Sequence, residues 1–172
     1  MIPETLRALL DSTQGQRRAE WAGREVWLAN EAWGELAVSL QGAQVLHYLP
    51  APEAAQAEGS VPAPEAAASE DAQPTETPEG MVAGGWLWVT PTPQELPGAI
   101  RGGIPLCWPW FADERYADES PERNGPFHGL ARHAQWRLDA VDDHAEGIEV
   151  HLSPTQPLHS QLTARLVVQA NA

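Results

Sequence analysis

The sequence contains no lysine, and all ten of its basic residues are arginine. A lysine that forms a Schiff base with a substrate and the lysine of a P-loop are therefore both excluded. The chain also has a single cysteine, Cys107, which permits neither an internal disulfide nor a cysteine-based zinc cluster. These absences remove several common classes of enzyme and of metal-binding module.

Long apolar runs and positive charge are also scarce. No apolar run approaches membrane-spanning length, and the first twenty residues lack the apolar core of a signal peptide. The net charge is -14, which disfavours electrostatic binding to nucleic acid or to an anionic membrane surface. We therefore expect a cytoplasmic protein with neither a nucleic-acid nor a membrane partner.

The segment 51–80 lacks basic residues altogether. It holds nine alanines, five prolines and seven acidic residues. Such a composition cannot bury enough apolar surface to offset the entropy cost of ordering the chain. We predict that this segment is a disordered loop between two strands, which leaves 142 residues that could fold.

The remaining chain shows short apolar segments separated by turn-forming residues. Alternation of apolar and polar positions in these segments predicts antiparallel sheets with one buried face, and so an all-β sandwich. In the segment 135–141, for example, the pattern places Trp136, Leu138 and Ala140 on one face. Residues 1–20 are expected to be an N-terminal arm or a short helix over 5–10. The predicted strands are 25–30, 35–40, 43–49, 84–90, 135–141, 147–152 and 161–168.

Residues 100–136 concentrate the side chains that could bind a ligand. Arg101 precedes Gly102 and Gly103, which allow a tight turn or a close approach of the backbone to a ligand. His128 and Arg132 follow in the segment FHGLAR. Near Arg101 they would form a pocket for hydroxyls and an anion, because a guanidinium matches phosphate or carboxylate. Equally, Arg101 could be solvated beside an ordinary turn, and His128 could be a loop residue bonded to backbone.

The aromatic residues of the same segment have two interpretations as well. Trp108, Trp110 and Phe111 could form a wall for a sugar ring or could belong to the core, which is the commoner role in a chain with eight tryptophans. Cys107 is expected to be a small buried apolar residue.

The histidines give little indication of a metal site. His128 and His133 have no third ligand at a recognisable spacing, so we predict no metal there. The other three candidates are scattered over predicted strands and turns and are expected at the surface: His144, His151 and His159.

Two motifs together resemble a known family. IRGGIPLCWPWF at 100–111, followed by HGLAR at 128–132, resembles the glucose-6-phosphate 1-epimerases, a branch of the aldose 1-epimerase superfamily with the galactose mutarotase-like fold. The upstream segments GAQVLHYLP at 42–50 and GWLWVT at 85–90 are similar to strands of that family. RGGIP and HGLAR in that order are specific as a pair, whereas either alone would be weak evidence.

The resemblance implies an antiparallel β-supersandwich that interconverts the α and β anomers of a hexose 6-phosphate without a cofactor. In such enzymes a carboxylate takes the proton of the anomeric hydroxyl while a histidine protonates the ring oxygen. Arg101 and Arg132 match substrate-binding arginines of the family, and His128 matches a histidine of the sugar pocket. Phe127 departs from the family pattern, which has glutamine at that position.

The family's catalytic histidine and glutamate lie in the second half of the domain, and no residue of this chain matches them. We do not take His133 or Glu149 as substitutes. The expected arrangement is that 21–172 form the N-terminal part of a mutarotase-like sandwich, interrupted at 51–80, with a C-terminal half as the missing partner. The alternatives are a non-catalytic sugar-phosphate-binding or regulatory β-sandwich and a structural β-domain with vestigial motifs.

Overall fold

The computed structural model describes residues 1–52, 79–112 and 125–172, so the loop predicted to be disordered lies almost entirely outside the described residues. The elements follow one another along the chain as β1 Ile2–Pro3, α1 Glu4–Asp11, β2 Gly15–Trp21, β3 Arg24–Glu31, β4 Gly34–Ser39, β5 Gln44–Pro50, β6 Met81–Val82, a 3-10 helix Ala131–His133, β7 Trp136–His144, β8 Gly147–Pro154 and β9 Leu166–Asn171. Within those ranges, no helix has the length and apolarity needed to cross a bilayer.

The strands form three antiparallel sheets. The largest is a meander in the order β2-β3-β4-β5, the second has the order β7-β8-β9, and β1 pairs with β6. This arrangement of mostly antiparallel sheets with one short helix confirms the predicted all-β class. Predicted strands at 25–30, 35–40 and 43–49 correspond to β3, β4 and β5.

The four-stranded sheet is covered on both faces. One face packs against the three-stranded sheet, where Trp27, Leu36 and Val38 meet Trp136 and Val150 in one apolar cluster. Trp136, which the alternation predicted to be buried, therefore does lie in the interior of a sandwich, whereas the prediction of a single buried face is wrong for the four-stranded sheet.

Helix α1 covers the other face of the four-stranded sheet. Leu6 and Leu10, four residues apart and so on one side of the helix, pack against Val26, Leu28 and Leu46. Burial of leucine side chains of this kind contributes about 1.5 to 3 kcal/mol each.

The N-terminal residues are more regular than a loose arm. Helix α1 includes the segment 5–10 for which a helix was expected, and the polar segment after it forms β2. Every residue of β2 pairs with β3, from Gly15 opposite Asn30 to Trp21 opposite Arg24. The backbone pairing outweighs the polar composition of the strand, because β3 presents a complete edge.

The predicted strand at 84–90 is wrong. Regular pairing stops at Val82, and Gly84 and Gly85 take positive φ angles that a strand does not tolerate. Trp86 and Trp88 consequently remain exposed, at 72% and 45%. The alternation of aromatic and aliphatic residues here reflects an irregular segment that lies along β5 rather than within a sheet.

A β-bulge changes the pattern predicted for β7. Leu138 pairs with Leu152 but Ala140 pairs with His151, so Asp139 is an extra residue. Side chains alternate normally on each side of the bulge. Before it the even-numbered residues face the core, and after it the odd-numbered residues do. Trp136 and Leu138 face the core, whereas Ala140 is exposed and does not share their face as predicted. The strand predicted at 161–168 also differs from the structure, because β9 begins at Leu166 rather than at 161.

Candidate functional site

The loop that carries Arg101 is fixed by its two glycines. Gly102 and Gly103 have φ angles of 95° and 61°, and a Cβ on either would lie 2.2 Å from a backbone oxygen, of Trp88 and Val45 respectively. The Gly103 N–H donates to the Trp88 carbonyl at 2.7 Å. Glycine is therefore required here for a close approach of backbone to backbone, and Arg101 is left with an exposed side chain.

The HGLAR segment is held against the tryptophan-proline segment by backbone contacts. Trp108 and Gly129 form a parallel bridge, and the Trp108 carbonyl accepts hydrogen bonds from the N–H groups of Leu130 and Ala131 at 2.7 and 3.1 Å. A Cβ on Gly129 would lie 2.3 Å from that carbonyl oxygen. The two motifs singled out in the sequence are thus joined at this point.

The imidazole of His128 has a defined orientation. Its Nδ1 accepts a hydrogen bond from the backbone N–H of Ala112 at 2.9 Å, and its ring lies between Phe111 and Phe127, with centroid separations of 4.8 and 3.9 Å. Because Nδ1 is an acceptor, the neutral ring carries its hydrogen on Nε2. His128 is therefore bonded to backbone, as one interpretation expected, yet Nε2 is left as a donor.

Arg132 lies in the 3-10 helix and is half-buried. Its Nε is buried and has no hydrogen-bond partner among the described residues. A buried donor without an acceptor costs about 1 to 3 kcal/mol, so an anionic or hydroxylic ligand oxygen at this position would be stabilising. The unsatisfied Nε is the strongest structural indication of a ligand near the two motifs.

The two motif loops are anchored close together, one on the start of β5 and the other on the turn that precedes this strand. The Ile104 N–H donates to the Val45 carbonyl at 2.8 Å, and the Gly42 N–H donates to the Ala134 carbonyl at 2.8 Å. A Cβ on Gly42 would lie 2.8 Å from the backbone oxygen of Arg132. The structure therefore brings the two loops to anchors three residues apart, although no hydrogen bond or ion pair joins Arg101 to His128 or Arg132 within the described ranges.

The aromatic residues of the segment differ in burial. Trp108 packs partly against the main core, and the Trp110 Nε1–H donates to the Pro126 carbonyl at 3.0 Å. Phe111 is 74% exposed and Phe127 is 58% exposed, each beside the His128 ring. Cys107 is only partly buried, in contrast to the expectation of a fully buried residue.

A groove lined in part by motif residues lies elsewhere. It opens between the edges of β5 and β9, has a volume of about 370 Å³, and is lined mainly by apolar side chains, among them Tyr48, Trp86, Ile104 and Ala170. None of the three predicted site residues lines this groove. Among the described residues, its lining offers no arginine or histidine to a phosphorylated sugar.

A buried polar network was missed by the sequence analysis. Arg7 of α1 donates to both carboxylate oxygens of Glu35 at 2.7 and 2.8 Å, and His47 Nε2 lies 2.9 Å from Glu35 Oε2. Burial opposes ionisation of Glu35, but the hydrogen bonds from Arg7 and His47 hold the pKa of its carboxyl below the usual value. Burial lowers the pKa of His47, against the opposing effect of Glu35. In the sequence, this network is indicated by Glu35 and His47, which are polar residues within apolar strands.

The remaining histidines are only partly as expected. His144 is exposed and His159 is half-buried, with its ring edge-on to Trp108 at 6.4 Å between centroids. His151 was predicted at the surface, but its side chain is only 14% exposed, which is a correction. It lies on β8 beside Asp142 and Glu149.

Comparison with known proteins supports the resemblance carried by the motifs. The chain is 37% identical over 71 residues to a putative glucose-6-phosphate 1-epimerase of Escherichia coli, a match that covers 41% of this chain and 22% of that protein. It is 36% identical over 63 residues to the protein of the same name from Salmonella typhimurium, covering 36% and 19%. No family model matches the sequence. The resemblance to glucose-6-phosphate 1-epimerases is thereby confirmed.

Two solved structures share the fold. A putative mutarotase, YeaD, from Salmonella typhimurium superposes with a TM-score of 0.59 at 20% identity, and the protein HI1317 with a TM-score of 0.56 at 21% identity. Each alignment covers 93% of this chain but less than half of the solved chain, 44% and 45% respectively. The chain therefore spans well under two thirds of the length of the relatives it matches.

Proposed function

We propose that this chain supplies the substrate-binding half of an aldose 1-epimerase-type isomerase that interconverts the α and β anomers of a hexose 6-phosphate. Arg101 and Arg132 would bind the phosphate, and His128 would donate its Nε2 hydrogen to a sugar oxygen. The observation that carries this proposal is the unsatisfied Nε of Arg132 beside the anchored motif loops. The names of the curated relatives support the choice of reaction and substrate.

The charge of the protein makes arginine the appropriate ligand for such a substrate. The chain carries -14 overall, so a dianionic phosphate ester approaches against an unfavourable field. Binding then depends on local, geometrically specific contacts, and the planar guanidinium supplies two parallel donors to phosphate oxygens.

The reaction itself would require a catalytic carboxylate and a catalytic histidine, and no residue of this chain matches those of the family. One carboxylate removes the proton of the anomeric hydroxyl as the bond from C1 to the ring oxygen breaks, and an acid protonates that oxygen. The open aldehyde rotates about the bond from C1 to C2 and recloses, and the two protons return to their donors. We propose that a C-terminal partner half provides both groups, and that the 172-residue chain alone binds without turnover.

The test is calorimetric titration with glucose 6-phosphate, combined with anomer exchange measured by NMR. We expect saturable binding, lost in Arg132→Ala, and no acceleration of exchange. Arg18→Ala is the matched control, because Arg18 is an arginine of β2 with an exposed side chain that pairs with Glu25, away from the motif loops. Absence of binding by the unmodified chain, or binding unaffected by Arg132→Ala, would overturn the proposed site. Rapid anomer exchange by the 172-residue chain alone would contradict the proposal that a C-terminal partner half provides the catalytic groups.

The second candidate is a non-catalytic sugar-phosphate-binding or regulatory protein, which would use the same three residues. The nucleotide sequence after the codon for Ala172 distinguishes the two. A continuing frame that encodes a His-Thr-Tyr-Phe-like motif and a later glutamate supports the isomerase, whereas an in-frame stop codon supports the binding protein.

A further inference from the structure

We infer that Asp142, Glu149 and His151 form a binding site for a divalent transition-metal ion on the outer face of the three-stranded sheet. The imidazole nitrogen and the carboxylate oxygens of these residues all lie within 4.8 Å of one another. The site is distinct from the two motif loops and uses a histidine that the proposed reaction does not employ.

Strand register brings the three side chains together. Asp142 of β7 is directly opposite Glu149 of β8, and His151 follows Glu149 by two residues on the same face. The extra residue Asp139 is essential to this arrangement. Without the bulge, the parity of Trp136 and Leu138 would turn Asp142 towards the core. The bulge therefore directs a carboxylate to the outer face, next to a second carboxylate and an imidazole.

The close approach of His151 to Asp142 is not an ordinary hydrogen bond. Nε2 of His151 lies 2.9 Å from Oδ2 of Asp142 and 3.6 Å from Oε2 of Glu149. Yet this nitrogen is buried and makes no hydrogen bond with any described residue, so its proton is not directed at either oxygen. Nε2 thus approaches two carboxylate oxygens without being held in a hydrogen bond to either.

The distances fit zinc. Two ligand atoms each about 2.0 to 2.1 Å from a tetrahedral zinc ion are about 3.3 Å apart. The separations of 2.9 and 3.6 Å lie on either side of that value, and the two carboxylates offer oxygens within 4.8 Å of each other. One imidazole and two carboxylates make a set that Zn²⁺ accepts and that Mg²⁺, which prefers oxygen ligands and water, does not favour.

Charge and support also favour a cation. Asp142 and Glu149 are like charges directly opposite each other on paired strands, a destabilising arrangement that a bound cation would relieve. Gln169 of β9 donates to Oε1 of Glu149 at 3.0 Å, which orients the carboxylate and leaves Oε2 towards His151. Metal ligands are commonly held by such neighbours.

Arg165 competes with the metal. Its guanidinium lies 3.1 Å from Nδ1 of His151, and since arginine can only donate, Nδ1 must accept. The neutral ring then has its hydrogen on Nε2, the atom required for the metal. Binding through Nε2 moves that hydrogen to Nδ1 and forces Arg165 to withdraw. Arg165→Gln should therefore tighten binding several-fold, because the glutamine oxygen can accept a hydrogen bond from Nδ1.

The test is titration of the metal-free, untagged chain with Zn²⁺, followed by calorimetry and by the visible absorption of Co²⁺ in its place. We expect one saturable site. His151→Gln and Asp142→Asn should each raise the dissociation constant at least about tenfold, while His144→Gln, an exposed histidine on the same strand pair, leaves it unchanged.

Asp142 is 58% exposed, so its substitution tests the site without endangering the fold. Saturable binding that survives both substitutions, or that is lost equally in His144→Gln, would overturn the inference. A dissociation constant that Arg165→Gln leaves unchanged or increases would overturn the competition by Arg165.

Discussion

Nε2 of His47 lies 2.9 Å from Oε2 of Glu35, in the layer between helix α1 and the four-stranded sheet. Arg7 binds both oxygens of the same carboxylate, so one acidic group joins the helix to two strands. His47 is fully buried, and Glu35 and Arg7 have side chains 17% and 18% exposed. The N-terminal helix is therefore attached to the sheet by a charged contact as well as by its leucines.

Replacement of Glu35 by glutamine should destabilise the protein by about 1 to 3 kcal/mol, because Arg7 and His47 lose a charged partner in a partly desolvated position. Solvent contact keeps the loss below that of a fully buried pair. The measurement is the free energy of unfolding in urea. Glu25→Gln breaks the exposed pair with Arg18 and should cost less than about 1 kcal/mol; equal losses would contradict the assigned role.

Stability should decline as the pH is lowered through about 6.5, the ordinary pKa of histidine. Burial lowers the pKa of His47 in the folded protein, so between its folded and unfolded pKa values the unfolded chain binds more protons. The free energy of unfolding therefore decreases as the pH is lowered, by at most about 1.4 kcal/mol per pH unit for one proton. Urea unfolding at pH 7.5, 6.5 and 5.5 should show a steeper dependence for the parent than for His47→Asn. A profile unchanged by the substitution would disprove this.

Gly85→Ala should be more destabilising than its backbone angle alone predicts. At φ 72°, an added Cβ would lie 2.4 Å from Cε1 and 2.5 Å from Nδ1 of the buried His47. Gly23 is the matched control, with φ 73° and no atom within 4 Å of its Cβ position. Both variants lose about 1 to 2 kcal/mol from the left-handed conformation, and Gly85→Ala should lose a further 1 to 3 kcal/mol, roughly, from overpacking. Thermal unfolding distinguishes them.

His128→Asn should separate folding from binding. Asparagine tolerates the positive φ of 69° and its oxygen can replace Nδ1 as acceptor for the Ala112 N–H, but it has no group in the position of Nε2–H. We expect a stability within about 0.5 kcal/mol of the parent. Affinity for glucose 6-phosphate should fall at least about fivefold, which corresponds to the loss of one hydrogen bond of about 1 kcal/mol. Unchanged affinity would remove His128 from the site.

The sequence was most informative where structure is local. Short apolar segments between turn-forming residues located β3, β4 and β5, because the sheet that they form is buried on both faces. The motif pair located the loops that carry Arg101 and His128. It was least informative where a single residue changes the register. Asp139 inverts the parity of β7, and nothing in the order of side chains marks it as a bulge.

Contacts between distant segments were equally inaccessible. The network of Arg7, Glu35 and His47 joins a helix to two strands, and its members have no recognisable spacing. The same holds for the candidate site: the motifs singled out the candidate residues, but the tautomer of His128 depends on the backbone of Ala112, sixteen residues away. Such relationships follow from pairing and packing, which composition and periodicity do not encode.

Cys107 provides a means of observing the candidate site directly. It is the sole thiol of the chain, is partly accessible, and immediately precedes Trp108, whose carbonyl holds the HGLAR loop. A fluorophore attached there would occupy one defined position without removal of other cysteines, and the neighbouring indole would quench it to an extent that depends on loop geometry. The unmodified sequence thus contains its own labelling position for following ligand binding in solution.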